Sequence, residues 1–553
     1  MSEPFDIDQQ WDAVIVGTGM GGATLGYALA RAGKRVLFLE KGLNHTGNPD
    51  ALLGDYAEAH FGRDEAPMPA HRDTLAKAGR YQAPLDDRSK PRLNTFIPFV
   101  GQGSGGSTAL YGMALERFFP ADFTPRSAFA DVGESSLPDA WPISYAELAP
   151  HYAAAEALFR VRGSADPLRG EDARGHFMTP PPLTPASDEL FKFFENQQLH
   201  PYRLPMACEF VPGCEGCQGY LCAKECKNDA NRICLQPAIR DHRACLLDAC
   251  EVLRVEADSA AARSVVYRRH GVERSVRADI IVLAAGALET PRLLLDSASA
   301  DWPDGLANAS GQVGRNLMRH HIDLYLIEPK LKGEFDNRQK EFAFNDFYQA
   351  DGQKLGSVQS FGRLPPARML AASLVDDLRQ GPMPWSASLF SMVKPAVNPV
   401  LRQMVERRMV LATTIEDFPY ADNQVMPSHG GDGQARLSMQ YRVRPRDQAR
   451  IDAMRARMKA VLRPYAFLLI KQAENNQRIA HVCGTCRFGD DPRDSVLDKH
   501  NRAHGLANLY VLDSSFFPSS GGTNPSLTIA ANALRVGAHL LQTVLSGETH
   551  ETV

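Results

Sequence analysis

The chain has 553 residues, 44% hydrophobic and 23% charged, the composition of a soluble globular protein. At roughly 150 residues per domain, that length predicts two to four domains. Lys and Arg number 61 against 65 Asp and Glu, a net charge of −4, which argues against a basic nucleic-acid-binding face. The opening MSEPFDIDQQWDAV is acidic and has no apolar stretch, and no apolar run is long enough to span a bilayer. No signal peptide and no membrane span are therefore expected, and the cytoplasm is the default compartment.

Residues 12–16 (DAVIV) read as a short strand, GTGMGG (17–22) as a turn, and the Ala/Leu-rich stretch to Arg31 as a helix. RVLFLE (35–40) is strand-like again, which completes a βαβ unit. Gly17, Gly19 and Gly22 fit G-x-G-x-x-G. The first glycine permits the tight turn, the second lets backbone approach a pyrophosphate, and the third allows close helix packing. The helix N-terminus offers unpaired N–H groups and a positive dipole end to the phosphates. Glu40 closes the second strand, where a carboxylate can accept from both hydroxyls of an adenosine ribose and repel a 2′-phosphate. A dinucleotide other than NADP is expected.

Residues 43–95 are polar, with scattered Pro and Gly, and read as loops and short helices. GQGSGGSTALYGM (101–113) is a second glycine loop, and Ser144 to about Val161 carries apolar residues at helical spacing. Residues 250–285 read as strands, and DIIVLAAGALETPRLLL (279–295) as strand, tight turn and helix. The second glycine loop and this late strand–turn–helix favour an extended flavin dinucleotide, FAD, over NAD. Residues 320–475 alternate strand and helix patterns with frequent prolines, which suits a second domain on an antiparallel sheet.

Ten cysteines are present, six of them between Cys208 and Cys234. Cys214, Cys217, Cys222 and Cys226 are the candidate metal ligands, with Cys208 and Cys234 flanking them. Thiolates at such spacings can converge on one iron–sulfur cluster or one zinc, and disulfides or free thiols remain open. Cys483 and Cys486 form a further C-x-x-C with no thioredoxin-like surroundings.

Near the C-terminus stand HVCGTCRFG (481–489) and HGLANLYVLDSSFFPSSGGTNPSLTIAANALR (504–535). With the two glycine loops, WPISYAELAPHY (141–152) and VGRNL (313–317), the chain resembles the glucose–methanol–choline (GMC) oxidoreductases over essentially its whole length. The resemblance implies FAD and the oxidation of an alcohol by hydride transfer to flavin N5. It makes His481 of the H-x-x-G-T motif the catalytic histidine and Asn524 of the N-P motif its partner, followed by Pro525. Asp513 matches a position whose backbone borders the flavin, and Gly105, Gly106 and Ser107 match the family's glycine loop. Many members carry Asn where this chain has Tyr111. CQGYLCAKEC (217–226) is similar to bacterial sugar dehydrogenases of the family that hold an iron–sulfur cluster, although their first two cysteines are adjacent.

The implied chemistry is reasonable for these residue types. A carbinol gives up hydride readily only as its O–H is deprotonated, and a neutral imidazole can take that proton. An Asn N–H can stabilise the developing alkoxide. The resemblance implies an α/β fold, α+β in the second domain. Residues 1–140, 237–325 and 476–553 are expected to form a Rossmann-like FAD-binding domain. Residues 141–205 and 326–475 would form the interleaved substrate domain, and 206–236 a cysteine-rich insertion. The expected substrate is a small polar alcohol: a sugar, amino-sugar or polyol. A sterol or aliphatic alcohol oxidase, a non-oxidative lyase or photoenzyme, and an electron-transfer subunit are the alternatives. O₂, a quinone and a redox partner all remain open as electron acceptor.

Overall fold

The computed structural model describes all residues except 1–4, 62–66, 130, 332–339, 351, 363, 381–384, 387, 391, 393–406, 431–434 and 546–553. The two ends of the expected nucleotide-binding segments thus lie outside the described residues.

Five parallel strands form the first sheet, in the order Leu509–Val511, Ala278–Leu283, Trp11–Val16, Val36–Leu39, Cys245–Leu247. Residues 13–16 and Val36–Leu39 are continuous apolar, buried runs because helices or further chain cover both faces. The helix Met20–Arg31 connects these two strands, and the long C-terminal helix Ser526–Thr543 packs against it. Strands Cys250–Ala257, Ala262–Arg269 and Val272–Val276 form a separate antiparallel meander, as the sequence predicts for this region.

Six antiparallel strands form the second large sheet, in the order Phe467–Ile470, His321–Ile327, Met409–Ile415, Gly356–Ser360, Phe342–Phe344, Tyr202–Arg203. Helices Pro185–Asn196 and Pro445–Val461 bury Leu190, Phe194, Ile451, Met454 and Met458 against Tyr325, Phe342 and Leu411 of this sheet.

Two features depart from the expected organisation. Strands Leu85–Asp87 and Asn94–Phe96 arise in a stretch read as loops and short helices, and join Gln424–His429 and Ala435–Gln440 in a four-stranded sheet. Three-residue strands are too short to show a period of two. The helix Tyr145–Leu158, capped by Ser144 and Glu147, is expected in the substrate domain. It lies instead against Ser526–Thr543, where the Tyr152 hydroxyl is 2.7 Å from Thr528 Oγ1, and its buried apolar residues join the core of the parallel sheet.

Candidate active site

The cleft lined by Gly17, Gly19 and Glu40 is built from close backbone packing. A Cβ on Gly17 would lie 2.4 Å from the Ala284 carbonyl oxygen, and one on Gly22 would lie 2.3 Å from that of Gly17. Both positions require glycine for the fold itself. Gly19 differs, because a Cβ there meets nothing within 4 Å. It faces the open cleft at the N-terminus of Met20–Arg31, where a phosphate can approach backbone N–H groups.

The Glu40 carboxylate is buried and gathers the loops around the cleft. One oxygen accepts from the Thr18 N–H and hydroxyl at 3.1 and 2.7 Å, and the other from Gly42 N–H and Gly103 N–H at 2.9 and 3.1 Å. Burial raises its pKa, opposed by these four donors. The contact from Gly103 docks the second glycine loop onto the first, and Gly106 packs on Gly19 so closely that a Cβ would be 2.9 Å away. Gly106 and Ser107 line the cleft, while Gly105 donates its N–H to Thr18 Oγ1.

Asp513 lines the far end. Its carboxylate accepts from Gly286 N–H, Thr290 Oγ1 and Ser515, which ties the last parallel strand to the Ala-Ala-Gly turn. Pro525 occupies the N-cap of Ser526–Thr543, whose Ser526 and Ile529 line the cleft. Lys41, Tyr81, Glu289 and Arg292, which the sequence reading does not single out, also line it. The open faces at Gly19 and Gly286 and the phosphate-facing helix end fit a dinucleotide.

His481 stands where the two halves of the molecule meet. Met318 and Cys483 exchange backbone hydrogen bonds at 3.0 Å, and His320 N–H donates to the Ala480 carbonyl at 3.1 Å. This short pairing brings His320, the residue before the strand His321–Ile327, against His481. Their Nδ1 atoms are 2.7 Å apart and their rings meet edge to face. His320 Nε2 lies 3.0 and 3.2 Å from the Gly521 and Ser520 carbonyl oxygens, so that nitrogen carries the proton. In a neutral ring His320 Nδ1 is then an acceptor, and His481 Nδ1–H is the donor. His481 is left with its lone pair on Nε2.

Both rings are held neutral. Burial pushes His320 down to about 4. Burial, then the neighbouring charges of His320 and Lys340, holds His481 well below the ordinary imidazole value. The His481 backbone is left-handed at φ +58°, a conformation of some cost, fixed by the pairing on either side.

Asn524 is reached through the same loop. Ser357 binds the Gly522 carbonyl, and Asp417 N–H donates to Ser520 Oγ at 3.0 Å, so residues 520–524 rest on the antiparallel sheet. The Asn524 amide is buried and donates to Gln359 Oε1 at 3.1 Å and, over a longer 3.5 Å, to Glu116 Oε2. Glu116 also accepts from Thr523 Oγ1 at 3.0 Å and from the Tyr202 hydroxyl. His320, Gln359 and Glu116 are absent from the sequence reading. The one sequence signal near them is the adjacent pair His320–His321 that closely follows VGRNL.

Two models of the family described as GMC oxidoreductase match residues 208–322 and 419–533, and a model of NAD(P)-binding Rossmann-like domains matches 15–48. The chain belongs to the GMC oxidoreductase family. It is 29% identical over 561 residues to 6'''-hydroxyparomomycin C oxidase of Streptomyces lividus, covering 97% of this chain and 93% of that one. It is also 29% identical over 551 residues to paromamine 6'-oxidase of Streptomyces fradiae, covering 96% and 91%. Among solved structures, pyridoxine 4-oxidase from Mesorbium loti superposes with a TM-score of 0.62 at 21% identity, covering 96% and 99% of the two chains. That likeness supports the fold.

As a GMC oxidoreductase the chain has two special features. The Tyr111 hydroxyl donates to the Asn228 carbonyl at 2.6 Å, and its ring packs on the cysteine-rich segment. That segment forms a nest of thiols. Cys214 Sγ lies 3.1 Å from Cys226 and 3.7 Å from Cys208, Cys222 lies 3.6 Å from Cys226, and the Cys217 thiol is hydrogen-bonded to Cys222. Cys208, read from sequence only as a flanking residue, is therefore inside the nest. Cys234 lies elsewhere, 3.7 Å from Thr24 Oγ1 under the first helix. None of the ten cysteines forms a disulfide, and no described helix is long and apolar enough to cross a membrane.

Proposed function

We propose that this chain is an FAD-dependent enzyme that oxidises a sugar or polyol hydroxyl to a carbonyl, with His481 as the base. The observation that carries the reading is the 2.7 Å contact between the Nδ1 atoms of His320 and His481. It leaves the His481 lone pair on Nε2, and burial keeps the ring neutral, as proton removal from a carbinol requires. FAD, when bound, supplies the hydride acceptor. Gly17, Gly19, Gly22 and Glu40 would hold its adenosine and pyrophosphate, and Gly105, Gly106, Ser107, Asp513 and Pro525 would border the rest.

His481 takes the hydroxyl proton at Nε2 while Nδ1–H stays bonded to His320. Asn524 steadies the oxygen left behind. Its long contact to Glu116 is the one easily exchanged, which turns one N–H to the alkoxide while the other stays on Gln359. The polar substrate class is supported by the aminoglycoside-named oxidases that resemble the chain along nearly its whole length. Anaerobic mixing with a panel of alcohols tests the proposal: a polyol or sugar should bleach the flavin.

The thiol nest supports a second part of the proposal, an iron–sulfur cluster held by Cys208, Cys214, Cys222 and Cys226 with Cys217 alongside. Cys208, Cys214 and Cys226 lie within 4.8 Å of one another and Cys222 adjoins Cys226, a donor set for a soft metal centre. Iron, acid-labile sulfide and zinc measured on anaerobically purified protein decide between a cluster, zinc and free thiols.

A further inference from the structure

Three of the described lysines are buried: Lys227, Lys340 and Lys354. Lys227 donates to the Ala109 and Tyr220 carbonyls, and Lys354 pairs with Asp122 and Glu416 at 2.6 and 2.7 Å. Lys340 has neither kind of partner. Its ammonium lies 5.2 Å above the Phe361 ring, and makes no hydrogen bond or ion pair among the described residues. A buried ammonium normally finds acceptors for its three N–H groups.

The position of Lys340 says what the missing acceptor is. It precedes the strand Phe342–Phe344, and the next residue, Glu341, is anchored through Thr184 and Ser360. Its Nζ lies over Gly112, where a Cβ would be 2.7 Å from it and 2.8 Å from Gln218 Oε1. Gly112 directly follows the second glycine loop, and Lys340 is close enough to His481 and Glu116 for its charge to act on both. Glu116 acts on the ammonium through its charge alone: no hydrogen bond or ion pair joins the two, and Tyr202, Thr523 and Asn524 donate to that carboxylate.

We infer that Lys340 is a specificity-determining residue, which binds an acceptor oxygen of the substrate. Resting on the proposed alcohol oxidation, this names the substrate class: an amine-free polyol or sugar acid, whose carboxylate or hydroxyl oxygen completes the ammonium. An amino-sugar would place a second cation beside it.

The test uses three open-chain probes that differ only at one end: D-gluconate, D-glucitol and 1-amino-1-deoxy-D-glucitol. Their affinities for the FAD-loaded protein are measured by calorimetry near pH 7, in the His481→Ala background where reduction is slow. Half-saturation and limiting rate of anaerobic flavin bleaching are measured with His481 intact. Gluconate or glucitol should bind at least tenfold more tightly than the amine. Lys340→Met should erase that preference and raise half-saturation about tenfold, with a much smaller change in limiting rate. Lys340→Arg should keep the preference.

Equal or tighter binding of the amine overturns the inference. So does an unchanged preference in Lys340→Met, or absence of binding by all three probes while another alcohol bleaches the flavin. If no alcohol bleaches it, the proposed oxidation itself fails, and the calorimetry still reports whether Lys340 discriminates among the probes.

Discussion

His320 Nδ1 and His481 Nδ1 lie 2.7 Å apart, and the two carbonyls on His320 Nε2 fix which ring donates. His320 is thus a positioning residue for the base. Replacing it by Leu removes the acceptor, and should slow flavin reduction roughly 10- to 100-fold, the usual cost of losing an outer-shell partner. Asn can accept from His481 and donate to a carbonyl, so His320→Asn should recover most of the rate. Single-turnover reduction at matched FAD content measures both.

The same pair sets a pH dependence. The base works only when neutral, and its pKa lies below the ordinary imidazole value. The reduction rate should therefore stay level from neutral pH to below ~6.5, and fall only in more acid solution. Lys340→Met removes the charged neighbour and should move the acid limb upward, with His320, neutral above about 4, the other titratable group facing His481. Stability follows the same sign. His320 is held at about 4, so between the unfolded value of ~6.5 and about 4 the unfolded chain binds more protons. Stability falls as pH drops through that window, by about 3 kcal/mol at most from this group. Thermal unfolding from pH 7.5 to 5 should show a smaller loss for His320→Asn than for the parent.

The glycines separate fold from ligand. Gly22→Ala forces a Cβ against the Gly17 carbonyl at 2.3 Å, and should cost about 1–3 kcal/mol or prevent folding. Gly19→Ala meets only open space, so the apoprotein should melt as the parent does while FAD affinity falls at least tenfold. Equal FAD retention by Gly19→Ala would show that the dinucleotide does not approach there.

Glu40 serves the fold as well as the ligand. Glu40→Ala leaves the Thr18, Gly42 and Gly103 donors without their acceptor, at about 1–3 kcal/mol for each buried group. FAD should be lost on gel filtration and the melting temperature should fall. Glu40→Gln keeps one acceptor oxygen and should fall between.

The βαβ unit that frames the cleft was legible because its signal is local: Gly17, Gly19, Gly22 and Glu40 sit on it at fixed spacing. His481 and Asn524 were legible as motif residues. Their surroundings were not, since His320 lies 161 residues from His481, and Gln359 lies 165 from Asn524. No periodicity connects positions that meet only when two sheets dock. Cys208 was visible as a cysteine, but its place in the nest depends on a chain reversal that spacing does not encode. The helix Tyr145–Leu158 was read correctly as a helix. Its docking on Ser526–Thr543 rests on Tyr152 and Thr528, which no local pattern links.

The most direct test of the central claim is anaerobic single-turnover reduction of the flavin in His481→Ala, with an alcohol that bleaches the parent. General-base help is worth ~10²–10⁴-fold, so the variant should retain FAD and its fold while flavin reduction slows by that factor. The acid limb of the pH profile should vanish with it. Reduction within a few fold of the parent, with the limb intact, would contradict the assignment and place the base elsewhere.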